Sequence, residues 1–466
     1  MSARFVGQTR YSLFVPDSAA WRASNKTALK NEADYKKYLY DPDRLDFRDK
    51  IFTRFLAPSL ARAAEGFDVT HIVSFSESLP EKYKDSLRKT AERYPVISLR
   101  ELPDGQPDWG EAIDHIRGIG EAGVFGRYRL DDDDVLAVDY FSAMARYVRE
   151  KYVGMVVSFP LGVEAVYSGD HFYNFREAHV PMNSMGLLYV SELKEDGQIV
   201  GPQGGEHDKS DRVDPVILDA RQFGYFRTNH VGQDNLLRPA VVDAMSRVVE
   251  SMDKFPAIQD PAVLRDSFPA VAGEVLGESQ MFETNRDLGE GFGFTVRGNT
   301  SGITVRVDAN APEGIRRNSV ALSFEVESEA GKALGAKEEF AGIGTSANPF
   351  IGQFAYLNVK PGQSETMVSI FLPEAARIRS VNIIPLVPEA RTIEIARVIL
   401  AHSAESVQLN EKLVARLRVA SRSAVAFEKL RAVGERAVPR VRTVMVKFLG
   451  QRRTNALLRK VAAKLS

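Results

Sequence analysis

The chain has 466 residues, 44% of them hydrophobic and 26% charged, and contains no cysteine. That length exceeds what one core usually organises, so two or three domains are expected, while disulfide frameworks, thiolate metal sites and cysteine nucleophiles are excluded. The formal net charge of −1 hides an asymmetry: residues 411–466 carry fifteen Lys or Arg against three Glu, a local net of +12 that leaves −13 on the rest.

No window approaches the roughly 18 consecutive apolar residues that span a bilayer. The opening MSARFVGQTRYSLFVPD lacks the apolar stretch of a secretory signal, so a cytoplasmic location is expected. The first 240 residues alternate short apolar runs with amphipathic stretches, which is α/β patterning. The pattern predicts a strand at Tyr11 to Val15 and a helix from about Asp46 with Phe47, Ile51, Phe55 and Leu60 on one face. A strand at His71 to Phe75, a helix opened by Pro80, and a strand at Val96 to Leu99 follow. After a helix over Trp109 to Ile119, a strand at Val124 to Leu130 runs straight into four aspartates, Asp131 to Asp134. Phe141, Met144, Ala145 and Val148 then predict a helix, which puts the aspartates at a strand-to-helix junction.

Further strands are read at Met155 to Phe159, Val163 to Tyr167, Gly186 to Val190 and Phe223 to Thr228. The prolines at 256, 261 and 269 suggest helix and linker over 251–274. From 275 to 405, alternating segments separated by Gly and Pro predict an all-β, jelly-roll-like sandwich. Residues 406–466 read as a basic helical tail whose end, with Leu457, Val461 and Leu465 four apart, is amphipathic.

Four adjacent carboxylates repel one another, so they must face water or capture a cation. At the carboxyl end of a strand in an open α/β sheet, where ligands collect, an Asp-x-Asp pair can hold Mg²⁺ or Mn²⁺ and leave other positions for the phosphates of a nucleotide. A solvated acidic loop that caps the next helix accounts for the same residues.

The stretch RYRLDDDDVLAVDYF, with TRYSLF, RLDFRDKIFTRFLAPSL and HIVSFSESLP before it, resembles the rhamnosyltransferase family of bacterial glycosyltransferases. Three of its marks occur in order: Thr9 and Arg10; Pro58, Ser59 and Leu60; and Arg129 to Asp134. The resemblance covers residues 1 to about 240 and implies a metal-dependent transferase of the nucleotide-diphospho-sugar, or GT-A, type, occupying residues 1–250. It implies a metal on Asp131 and Asp133, a donor contacted by Thr9, Arg10, Arg129 and Asp132, and a third metal ligand at His230 in TNHVGQDN, with His207 as competitor.

The Gly-rich stretch 201–214 fits a loop closing over the substrates or an ordinary surface loop. Asp43, Arg44 and Asp46 read as helix caps rather than donor contacts. An inverting transfer needs a base on the acceptor hydroxyl, for which Asp234, Asp208, Asp211 and Glu177 are the formal candidates and none stands out. Donor and acceptor are expected to be a nucleotide-diphospho-sugar and a surface glycan or glycolipid. The basic tail suits an anionic inner-membrane surface or an acidic partner, or else packs on the acidic body or supports a homo-oligomer. Nucleic acid is disfavoured, since the tail has no Tyr or Trp to stack on bases. Two rivals remain at this level. LDDDDV also fits the nucleophile motif of haloacid-dehalogenase-like phosphatases, and a degenerate transferase domain would make a non-catalytic glycan-binding protein.

Overall fold

The computed structural model describes residues 3–16, 18, 31–108, 110–230, 233, 244–276, 280–328, 340, 342–346, 348, 351–372 and 376–410. The chain divides into two compact units, Met1–Gly277 and Glu278–Ser466. The predicted basic tail lies outside the described residues, apart from its first few positions.

In the first unit, β1 (Arg4–Arg10), β2 (Asp68–Ser76), β3 (Ile97–Leu102) and β4 (Gly123–Arg129) are laid down in order. β1 pairs in parallel with both β2 and β4, and β2 with β3. The order 3-2-1-4 thus reverses between β1 and β4, and at such a switch point ligands bind outside the carboxyl ends of the strands. Beyond β4 the sheet turns antiparallel.

A second, four-stranded sheet in this unit joins β5 (Asp134–Leu136) and β12 (Tyr225–Asn229) with β7 (Leu161–Ser168) and β8 (His171–His179). β6 (Val156–Ser158), β9 (Leu188–Leu193), β10 (Ile199–Val200) and β11 (Val216–Leu218) extend the large sheet.

The first strand differs from expectation: it is Arg4–Arg10, and Tyr11 to Val15 lie beyond it. Ser12 takes a left-handed φ of 44°, which a strand cannot continue through. Asp134 likewise leads into the short strand β5 rather than a helix, and the predicted helix shrinks to Tyr140–Met144.

The helix over Asp46 to Leu60 begins earlier, as Pro42–Ile51, with the Asp41 side chain accepting from the Asp43 amide and Pro42 in the first turn. Its chain then winds as a π turn, Phe52–Leu56, before resuming at Ala57–Ala63. Pro58 is the cause: it has no N–H for the Arg54 carbonyl and its ring pushes that carbonyl aside. The face carrying Leu45, Phe52, Leu56 and Leu60 packs against Tyr11, Val73 and Leu136. The 251–274 segment, expected to be helix and linker, falls within the first unit. Ala262–Ser267 and Pro269–Val275 are helices of the first unit, with Phe268 against Phe226 at 5.5 Å between centroids and Val138 bonded to the Ser267 carbonyl.

Gly7 sits mid-strand opposite His71 on one side and Tyr128 on the other. A Cβ there would overlap the rings of both. These rings belong to a buried chain of hydrogen bonds. The Thr9 hydroxyl donates to the Leu130 carbonyl at 2.7 Å and so accepts from His71 Nε2 at 2.8 Å, leaving His71 Nδ1 to accept from the Tyr128 hydroxyl at 3.0 Å. Burial holds the His71 imidazole neutral, its pKa pushed down to about 3. Gly7→Ala is expected to destabilise the first unit by about 3 kcal/mol, the upper end for overpacking, measured by urea unfolding. A loss under about 0.5 kcal/mol would mean that the three strands part easily here.

In the second unit, Gln280–Asp287, Glu394–His402, Gly302–Ala311 and Gly362–Phe371 form one antiparallel sheet, in that spatial order. Val320–Ser328, Ala376–Pro385 and Phe292–Arg297 lie consecutively at the centre of a second, six-stranded sheet. One core, including Val305, Ile370 and Val398 from the first sheet and Phe294, Leu322 and Val381 from the second, is buried by both.

Candidate active site

A cavity of about 400 Å³ opens at the β1/β4 switch point. Its floor is the acidic run. Leu130 is clamped to β1 on both sides, its amide to the Gln8 carbonyl at 3.1 Å and its carbonyl to Thr9. The chain then turns so that Asp131 to Asp134 diverge. The turn is held from β12, where the Thr228 hydroxyl donates to the Asp133 carbonyl and Asp134 pairs with Arg227 in register.

Each carboxylate has a different environment. Asp131, partly exposed, takes Arg129 Nη2 at 2.8 Å. Asp132 is buried, bonded by Arg48 Nη1 through one oxygen, while its Oδ2 is buried with no hydrogen-bond partner among the described residues. Burial pushes its pKa up to about 6 against the pull of Arg48. Asp133 receives Arg48 Nη2 and His230 Nε2, both at 3.1 Å. Burial alone would raise it, but Arg48 and the hydrogen bond and charge of His230 hold it well below the usual carboxylate range. Asp134 is driven well above that range by burial and by Asp133 and Asp131. Burial lowers the His230 pKa, and its ring stacks on Phe47 at 5.9 Å and 4° between planes.

Five arginines, Arg10, Arg44, Arg48, Arg129 and Arg227, line the same cavity. Arg10 is held by buried Asp108 at 2.9 Å, and Gln8 donates to the same aspartate. Arg44 donates to the Ser12 hydroxyl and the Leu39 carbonyl, both at 3.0 Å, which steadies the left-handed turn at Ser12. Leu13, Tyr35 and Leu39 add an apolar side. The lining is completed by residues including Val180, Asn183, Ser184, Met185 and His207. There the Asn183 carboxamide donates to the Phe159 and Val180 carbonyls at 3.1 and 3.0 Å and accepts from the Met185 amide at 3.0 Å.

The structure therefore brings Arg10, Arg129, Asp131, Asp132 and Asp133 to one cavity and sets His230 against Asp133. Thr9 is different: it is fully buried, does not line the cavity, and acts as a strut between β1 and β4. Asp208 is exposed on the short helix His207–Arg212 and does not line the cavity, and Asp234 lies outside the described residues. Among the described residues no three or more His, Asp and Glu gather into a metal-binding group, because Asp131 turns toward Arg129. Sequence reasoning missed Arg48 and Arg227, and set Arg44 aside as a helix-cap residue although it lines the cavity. The available signal was the Arg44/Arg48 spacing of four on a helix whose other residues supply the core.

Comparison with known proteins adds a family. The family described as "Putative rhamnosyl transferase" matches residues 4–236. No protein of the curated set matches. Among solved structures, residues 1–349 of S. aureus TarS in complex with UDP-GlcNAc align at 13% identity with a TM-score of 0.29, covering 54% of this chain and 66% of that one. S. aureus TarS in a longer form aligns at 9% identity over 79% of this chain and 72% of that one, TM-score 0.23. HddC from Yersinia pseudotuberculosis aligns at 13% identity over 49% and 90%, TM-score 0.19. With overlaps this small, the fold rests on the strand order itself.

Proposed function

Because the chain belongs to the family described as "Putative rhamnosyl transferase", and so to the glycosyltransferases, we propose that its first unit is a GT-A-type domain moving a sugar from a nucleoside diphosphate to a hydroxyl of a surface glycan or glycolipid precursor. One observation carries this reading: four aspartates and five arginines line a single cavity at the β1/β4 switch point. A diphosphate needs cationic partners, and arginine forks bind phosphate oxygens in pairs. Arg10 and Arg129 stand at the ends of the two switch strands. The apolar side of Leu13, Tyr35 and Leu39 suits the base.

A divalent cation fits the donor set. His230 Nε2 and Asp133 Oδ2 are 3.1 Å apart, about the spacing of adjacent ligands around an ion bound at about 2.1 Å. Mg²⁺ and Mn²⁺ take few protein ligands and complete their shell with phosphate and water. Asp133 and His230 would hold the ion, Asp131 being paired with Arg129, and the ion when bound would supply Lewis-acid stabilisation to the departing diphosphate. The arginines add fixed positive charge to the same leaving group. Arg48 keeps Asp133 ionised. The phosphatase alternative loses its ground to the family membership. The basic stretch 411–466, outside the described residues, would hold the enzyme against an anionic membrane surface, each near-surface cation adding about 1 kcal/mol.

Thermal unfolding with UDP, dTDP and GDP, each with and without Mn²⁺, tests the donor site. One nucleotide at 100 times its dissociation constant should add about 2.7 kcal/mol, and more of the effect should appear with Mn²⁺ than without. No shift with any nucleotide would reject the reading in favour of a non-catalytic, glycan-binding domain.

A further inference from the structure

A sugar transfer by single displacement needs a group that takes the proton of the attacking hydroxyl. The carboxylates on the cavity floor are poor choices. Asp131 is paired with Arg129, Asp132 with Arg48, and Asp133 with Arg48 and His230. Asp134 is buried in the company of Arg227. Of the other carboxylates raised from the sequence, Glu177, Asp208 and Asp211 are exposed and do not line the cavity, and Asp234 lies outside the described residues.

His207 lines the same cavity. Its Nδ1 lies 2.8 Å from the Met182 carbonyl oxygen. A carbonyl only accepts, so Nδ1 carries the proton, and in the neutral imidazole Nε2 is left with its lone pair. Nothing else among the described residues bonds Nε2. The carbonyl that sets this tautomer is fixed in turn. The Met182 amide donates to the Ser158 hydroxyl at 3.1 Å, and the next residue, Asn183, is tied to Phe159 and Val180. The chain before His207 is anchored as well, the amides of Gln203 and Gly204 donating to the Asp214 carboxylate at 2.9 and 3.1 Å. An imidazole that lines the cavity, its Nδ1 tied to a fixed carbonyl and its Nε2 unbonded among the described residues, is the arrangement a general base needs.

We infer that His207 Nε2 is the base that deprotonates the acceptor hydroxyl, in a single displacement that inverts the anomeric carbon. This inference rests on the donor reading above. The acceptor oxygen forms its bond to the anomeric carbon as the bond from that carbon to the phosphate oxygen breaks. The electron pair of that bond leaves with the nucleoside diphosphate, and the hydroxyl proton passes to Nε2 and then to water. His207 is thereby a catalytic residue, and the Met182 carbonyl a positioning group.

The test uses the full chain with dTDP-rhamnose and UDP-GlcNAc as donors and methanol as acceptor, because a methyl glycoside keeps the configuration in which it forms. His207→Gln retains a donor for the Met182 carbonyl but has no basic nitrogen. It is expected to release nucleoside diphosphate about 100-fold more slowly, with thermal protection by the nucleotide unchanged. In His207→Ala, added imidazole should restore part of the rate. Asp208→Asn should stay within twofold of the parent, and the methyl glycoside should have the configuration opposite to the donor's. A His207→Gln rate within threefold of the parent, loss of nucleotide protection in that variant, a comparable loss in Asp208→Asn, or retained configuration would each overturn the assignment. A parent chain that neither cleaves a donor nor is protected by any nucleotide would overturn the donor reading and the base assignment with it, whereas a parent that passes both leaves the outcome to His207 alone.

Discussion

Replacing Arg48 by Ala is expected to cost about 3–5 kcal/mol of stability at pH 7, the usual penalty for leaving a buried charge without its partner. Arg48 is itself buried and joins Asp132 and Asp133, two buried carboxylates on adjacent residues. His230, its pKa lowered by burial, is a weak substitute for a guanidinium. The pH dependence provides an internal check when unfolding is followed in urea with a chelator present. In the parent, Asp133 is held below the unfolded value of about 3.9, so its contribution is present above that value and is lost as the pH falls through its lower folded pKa. Without Arg48 both carboxyls are pushed upward by burial. The folded variant then binds more protons than the unfolded chain from about pH 7 down to about pH 4, and its stability rises on acidification. The deficit should therefore be largest at pH 7 and narrow by pH 5. Lys at the same position should recover only part, because an ammonium cannot fork to two carboxylates. A deficit below about 1 kcal/mol at pH 7, or one that widens on acidification, would show that the carboxylates have another counter-charge.

The role of Arg48 also shows where sequence reasoning stopped. Arg129 to Asp134 were legible because a run of like charges at a strand end is costly unless something compensates it. The compensating residues were not legible. Arg44 and Arg48, four apart on Pro42–Ile51, have the spacing of an ordinary solvated helix face, and only the long-range packing of that helix on the acidic turn makes them buried.

Thr9 was singled out by its neighbour Arg10, yet the two point to opposite fates. In a strand successive side chains alternate faces, and Thr9 faces the His71–Tyr128 network while Arg10 faces the cavity. The β-α-β rhythm was readable from apolar periodicity alone. The strand at His171–His179 was missed, its apolar residues interrupted by Asn174 and Arg176, which bond each other within the strand while Arg176 also reaches Asp253. The prolines of 251–274 read as linker punctuation. Leu264, Phe268 and Val271 nevertheless bury that segment in the first unit.

Asp133→Asn should lower the rate of donor cleavage by about 10²–10³-fold, the range seen when one preorganised group at a developing charge is removed. The substitution keeps the shape of the side chain and its place beside His230 and Arg48, but it removes the charge that a divalent cation requires. Arg48 still has Asp132 as partner, so the fold should survive, and thermal unfolding without ligand checks this. The nucleotide should continue to bind weakly through the cavity arginines, but its protection should no longer depend on Mn²⁺. Asp132→Asn is the informative contrast. Its Oδ2 is buried with no partner among the described residues and its charge is already opposed by desolvation, so removing that charge should weaken the Arg48 clamp more than it affects the metal dependence. If Asp133→Asn keeps both its rate and its Mn²⁺ dependence, the ion does not sit on Asp133, and the burden of the departing diphosphate falls on Arg10 and Arg129. Replacing those two residues would then have to produce the loss that Asp133→Asn did not.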